Sequence, residues 1–119
     1  MVTVGLLVRL AAQPGRELEL ERFLRSALPL VENEPGTPAW FALKFNSLSF
    51  GIFDAFPDET ARQEHLAGAV ATALMAQAGD LLAAPPEIEY VDTFASKLPH
   101  AADALRSIAI LGPAGANDE

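Results

Sequence analysis

Asp54 lies in an apolar stretch, Phe50-Gly51-Ile52-Phe53-Asp54-Ala55-Phe56, and His65 follows it across a Pro57-Asp58-Glu59-Thr60 helix start. An imidazole beside a carboxylate is simple machinery for moving a proton. The carboxylate fixes the ring tautomer, and the ring can then abstract a proton from a phenolic or enolic group. The plain alternative is a half-exposed helix histidine and an aspartate that caps a neighbouring turn. Trp40, Phe23, Phe50 and Phe56 could line an apolar pocket for a flat ligand, although most of the phenylalanines must be core. Asn46 and Tyr90 add an amide and a phenol that could steady an oxyanion. Asn46 equally suits a hairpin turn, and Tyr90 a strand with its hydroxyl at the rim. No metal site is expected, because the second histidine, His100, falls in the tail and the carboxylates form no ligand-like spacing.

Those residues must be held by a single small domain, since 119 residues are too few for two well-stabilised cores. Half of the residues are apolar, which is enough to build one core. The formal net charge is −8 with eight lysines and arginines in all, so no positive surface can be assembled for nucleic acid or an anionic membrane. The absence of cysteine excludes disulfides, thiolate zinc sites and cysteine nucleophiles, and is compatible with a reducing compartment. The apolar first segment lacks a basic lead-in, is interrupted by Arg9 and has no credible cleavage site, so it does not read as a signal peptide. No stretch reaches membrane-spanning length. A soluble cytoplasmic protein is expected.

Val2 to Ala11 alternates as a strand with one buried face. Gln13-Pro14-Gly15 breaks it, and a helix is predicted from Arg16 to Asn33 on the recurrence of Leu20, Phe23, Leu24, Ala27, Leu28 and Val31. Glu17, Glu19 and Glu21 favour its N-terminal dipole, while Pro29 should bend it or end it early. Glu34-Pro35-Gly36-Thr37-Pro38 reads as a turn cluster. Ala39–Phe45 and Leu48–Phe56 then form a hairpin across Asn46-Ser47. A second helix capped by Asp58 or Thr60 should run to about Leu82, and a last strand covers Glu87 to Ser96.

This order predicts an α+β, ferredoxin-like βαββαβ fold, an antiparallel sheet covered on one face by two helices. Gly5, Leu7, Ala42, Gly51, Phe53, Ala55 and Val91 are assigned to the other face, which is too apolar to leave in water. A second copy of the chain is the simplest cover, giving a homodimer in the form of a dimeric α+β barrel.

From Val2 to Leu98 the chain resembles the antibiotic biosynthesis monooxygenase superfamily of small dimeric α+β barrels. The resemblance lies in the topology and in Asp54-Ala55-Phe56, Pro57-Asp58-Glu59 and His65. It implies, for the monooxygenase branch, a carbanion that reacts with dioxygen without any cofactor, with His65 and Asp54 as the catalytic pair. Two positions depart from the family pattern. Phe56 stands where relatives often place Tyr or Trp, and Asp54 is shorter than the usual Glu. A haem-binding role fits poorly, because Arg9, Lys44 and Arg62 are the basic residues available near a pocket.

Two classes of function follow from this reading. One is a cofactor-independent monooxygenase acting on a small aromatic or enolic metabolite; the other is a non-catalytic dimer that binds a small apolar molecule or serves a structural role. Residues 1–98 are taken as the domain and 99–119 as a C-terminal extension. In that extension a short helix from Ala101 to Arg106 and a strand-like Ser107 to Leu111 would dock, and the end would fray.

Overall fold

The computed structural model describes residues 1–99. The expected helix and strand of the C-terminal extension lie outside the described residues. The elements are β1 (Val4–Ala11), α1 (Glu17–Glu32), β2 (Ala39–Asn46), β3 (Ser49–Phe56), α2 (Glu59–Leu66), α3 (Ala69–Leu81) and β4 (Glu87–Asp92). Strand order is β2-β3-β1-β4, and every neighbouring pair is antiparallel. That is the ferredoxin-like arrangement.

The alternation of β1 settles which face is covered. Leu6, Val8 and Leu10 are buried, and they pair in register with Asp54, Ile52 and Phe50 of β3. Leu20 and Leu24 of α1 and Leu74 and Leu81 of α3 close over them. On the opposite face Leu7, Phe53 and Val91 are half-buried, Phe41 and Phe45 stand exposed, and Phe41 stacks on Phe53 at 6.4 Å. Ala42 belongs on the helix face, opposite Ile52, and not on the open face where the sequence reading put it. Every residue of β2 from Ala39 to Leu43 is apolar, so alternation alone could not tell its two faces apart.

The second helix is not continuous to Leu82. It stops at Leu66 and restarts at Ala69, because the chain turns at Ala67 and Gly68, where Gly68 N–H bonds to His65 O at 3.0 Å. The apolar stripe of Leu66, Val70 and Leu74 carries on across the break, which is why spacing suggested one helix. Asp58 is the cap of α2, accepting from Ala61 N–H at 2.9 Å. Pro29 does not end α1 early. It sits exposed in the last turn, where it leaves only the Arg25 carbonyl without a helical partner, and the helix runs on to Glu32. The first and last strands in the chain are shorter than expected: β1 begins at Val4, and β4 ends at Asp92, leaving Phe94 fully exposed.

Candidate functional site

Asp54 lies near the end of β3 with its side chain on the helix face, and it is 1 % exposed. The Pro57-Asp58 connection returns the chain at once into α2, whose second turn brings His65 back over that strand end. His65 is 8 % exposed, and its Nε2 is 2.9 Å from Asp54 Oδ2. The Phe56 ring tilts against the imidazole, with centroids 5.3 Å apart. Arg62 fixes α2 one turn earlier. Its buried guanidinium donates to the Gly5 and Val91 carbonyls at 3.1 and 3.2 Å and pairs with Glu59.

The other ring nitrogen is also taken. Nδ1 of His65 is 2.6 Å from Glu34 Oε1, and that oxygen accepts from the buried Thr37 hydroxyl at 3.0 Å. With both carboxylates ionised the ring donates twice and is an imidazolium. Burial presses His65 to lose its proton, but the hydrogen bonds and charges of Asp54 and Glu34 outweigh it and hold the ring above the usual histidine range. Burial likewise lifts the Asp54 carboxyl above its ordinary value, by more than the His65 hydrogen bond and charge lower it. The Asp54–His65 pair therefore holds a proton more readily than either group does in water.

Asp54 Oδ1 is buried and has no hydrogen-bond partner among the described residues, and the same is true of Trp40 Nε1. These two residues face each other across β2 and β3. With Leu6 and Tyr90 they form one lateral row, Trp40-Asp54-Leu6-Tyr90, on the helix side of the sheet. Tyr90 is 56 % exposed on that row, its ring under the Arg62 guanidinium at 4.7 Å. A hollow of about 50 Å³ lies beside Asp54 and His65. On the other side of the imidazole a groove of about 390 Å³ opens to the surface between the loop after α1 and the α2–α3 turn. Glu34 and His65 both line it.

The structure thus gathers His65, Asp54, Phe56, Trp40 and Tyr90 at one end of the sheet. It does not bring the remaining candidates there. Phe23 and Phe50 pack in the main core beside Leu10, at the other end of β1 and β3. Asn46 is exposed at the hairpin, where its Oδ1 accepts from Leu48 N–H at 3.1 Å. This is the turn role.

No family model matches the chain, and no curated protein is significantly similar to it. Among solved structures, the NE2512 protein of Nitrosomonas europaea, of unknown function, is 56 % identical with a TM-score of 0.83, over 85 % of this chain and 98 % of that one. The chain belongs to the same family as NE2512. A candidate antibiotic biosynthesis monooxygenase from Caulobacter crescentus CB15 is 23 % identical with a TM-score of 0.69, over 79 % of this chain and 92 % of its own. Another from Nitrosomonas europaea is 14 % identical with a TM-score of 0.70, over 77 % and 99 %. This NE2512-family chain therefore shares its ferredoxin-like fold with both of those proteins.

Two residues of the site in this NE2512-family protein escaped the sequence reading. Glu34 was taken as part of a turn. Its signal was faint but physical: an acidic residue just after a helix end, where the dipole disfavours negative charge, is held there by something else. Gly68 falls inside the span of the second helix expected from the sequence. A Cβ there would stand 3.2 Å from Glu34 Oε2 and from His65 O, tighter than an ordinary contact, so glycine gives the Glu34 carboxylate its room without a shift.

Proposed function

We propose that the chain is an acid/base enzyme of the cofactor-independent monooxygenase type, acting on a small aromatic or enolic metabolite. Asp54 is the base that meets the substrate, and His65 with Glu34 holds and passes on the proton. One observation carries the reading: a buried imidazole with a carboxylate on each nitrogen, next to a carboxylate oxygen, Asp54 Oδ1, that nothing else uses. Since both ring nitrogens are engaged, the free proton acceptor is Asp54 and not the ring. Glu34 lies at the groove and leads the proton toward solvent.

The chemistry balances without an added reductant. A CH₂ group flanked by activating rings or carbonyls gives one proton to Asp54, and the carbanion forms a C–O bond to dioxygen. The peroxide takes a proton back from Asp54. Loss of the second C–H proton with cleavage of the O–O bond then leaves a carbonyl and one water. The hollow of about 50 Å³ is too small for a metabolite, whose pockets run to roughly 300 Å³ or more. The substrate therefore lies at its mouth, over Ile88 and Tyr90, with its acidic edge toward Asp54.

The same reading takes the chain as a homodimer joined through the open sheet face, on the support of Leu7, Phe41, Phe45 and Phe53 gathered there. Phe41→Asp is expected to halve the mass seen in sedimentation. Residence in the cytoplasm accords with the absence of cysteine. Among the described residues no helix is long and apolar enough to cross a membrane.

Oxygen uptake with a panel of enolisable quinols and anthrones tests the activity. Asp54→Asn is expected to lower turnover roughly hundredfold or more, the scale of a lost general base. Unchanged turnover would remove Asp54 from the reaction. The small size of the hollow favours one other reading, a non-catalytic protein in which Glu34, His65 and Asp54 pin α1, α2 and β3 together. A panel that elicits no oxygen uptake from the folded protein would decide for it.

A further inference from the structure

The hollow beside Asp54 is a poor place for water. Leu6 and Val8 of β1, Ile52 of β3, and Val70 and Leu74 of α3 form its walls. Asp54, His65 and Ile88, the last 45 % exposed, complete the lining. A buried water makes about three hydrogen bonds, and a site needs roughly 10–15 Å³ to hold one. Space is ample at about 50 Å³, but partners are not. Of the two polar residues, His65 already has both nitrogens engaged, which leaves Asp54 Oδ1 alone to bind a water. Aliphatic cavities that cannot satisfy water stay dry and take up apolar guests such as xenon.

We infer that this hollow is a binding site for an apolar diatomic gas, and that its guest is dioxygen. The naming of dioxygen rests on the monooxygenase reading; the apolar character of the site does not. The placement suits the reaction, since a carbanion formed against Asp54 at the mouth faces a gas molecule held behind it and away from bulk water. Ala71, which also lines the hollow, is the wall residue that can be enlarged from the helix side.

The test is methyl NMR on the whole protein, under rising xenon pressure and then with dissolved dioxygen as a paramagnetic probe. Saturable xenon shifts are expected at Val8, Ile52, Val70 and Leu74, with enhanced relaxation by dioxygen at the same methyls. Leu20 and Val31, buried residues that do not line the hollow, should stay unmoved by both. Ala71→Leu should abolish both effects, and Val70→Ile serves where that variant does not fold. Absent or unsaturable shifts, no local relaxation by dioxygen, or exchange signals from a resident water at these methyls would each overturn the inference. None of these readouts uses turnover. A null xenon result therefore removes the gas site and leaves Asp54 as a base, whereas an oxygen-uptake panel without activity removes the enzyme and leaves the xenon result standing.

Discussion

His65→Ala should be far more costly than the loss of a surface ion pair. The substitution removes the imidazole from between two carboxylates. Asp54, 1 % exposed, would then have neither oxygen partnered, and Glu34 would keep only the Thr37 hydroxyl. Breaking a buried ion pair by deleting one partner costs about 3–5 kcal/mol, whereas an exposed pair is worth about 0–1 kcal/mol. Against a total stability of about 5–15 kcal/mol the variant stays folded with little margin. Trp40, the one tryptophan, lies on the same sheet row as Asp54 and reports urea unfolding by fluorescence. The cost must depend on pH, and its sign follows from Asp54. Burial already raises that carboxyl, and removing the cation raises it further, so the lone carboxylate destabilises above its folded pKa and not below it. The penalty at about pH 5 should therefore be clearly smaller than at about pH 7. Adding Asp54→Asn to His65→Ala should recover about 2 kcal/mol at neutral pH, because the orphaned charge is then gone. A loss under about 1 kcal/mol, a loss independent of pH, or no recovery in the double variant would refute the buried clasp.

Glu34→Gln keeps an acceptor for His65 Nδ1 but removes a charge, so the ring's pKa, followed by NMR of its carbons, should fall, with a stability loss of about 1 kcal/mol. In the unmodified protein the raised His65 pKa gives a contribution that is complete below the unfolded value of about 6.5 and is lost as pH rises through the folded one. Urea stability should accordingly decline on the alkaline side of about pH 6.5, by at most about 1.4 kcal/mol per unit, and a flat profile would count against an imidazolium in the clasp. Gly68 caps the start of α3 in extended backbone, where alanine is a poorer residue than glycine, and Gly68→Ala also places a methyl 3.2 Å from Glu34 Oε2 and 3.3 Å from Glu64 O. It should destabilise by about 1–3 kcal/mol and shift the His65 ring signals, while a gain in stability would show that the carboxylate does not need that space.

Local pattern carried most of the fold. The parity of β1, the β2–β3 hairpin and the Pro57-Asp58 helix start each depend on neighbours in sequence, and together they order the sheet; the hairpin turn itself is Ser47-Leu48, one residue later than expected, with Asn46 closing β2 against Ser49. The meeting of Asp54 with His65 was legible for the same reason, as the two are joined by one tight connection and two helical turns. Glu34 was not, since it reaches His65 across 31 positions and its own surroundings, Pro35 and Gly36, explain it well enough as a turn. Nor was the division of α2 from α3, because an isolated glycine is tolerated in a helix and the apolar stripe does not skip a beat there. The break becomes intelligible only with Glu34 in place. Without a Cβ at Gly68 the start of α3 can close on the carboxylate that holds the ring.

The clasp is hard to explain as a device for stability alone. A buried ion triad returns little more than its desolvation cost, and apolar residues of the same volume are often neutral or better. Here the cost is compounded, because Asp54 Oδ1 and Trp40 Nε1 lie unpartnered on facing positions of β2 and β3. The central strands fill the rest of the sheet's helix face with Leu6, Val8, Leu10, Phe50 and Ile52 in ordinary alternation. Sequences that obey local rules nearly everywhere break them where function requires it. On the helix face of the sheet the broken rules gather at Asp54, which carries the free oxygen, lines the hollow and is linked through His65 to Glu34 at the groove. A structural pin would need the three charged groups but gains nothing from leaving that oxygen bare, whereas a proton acceptor requires it.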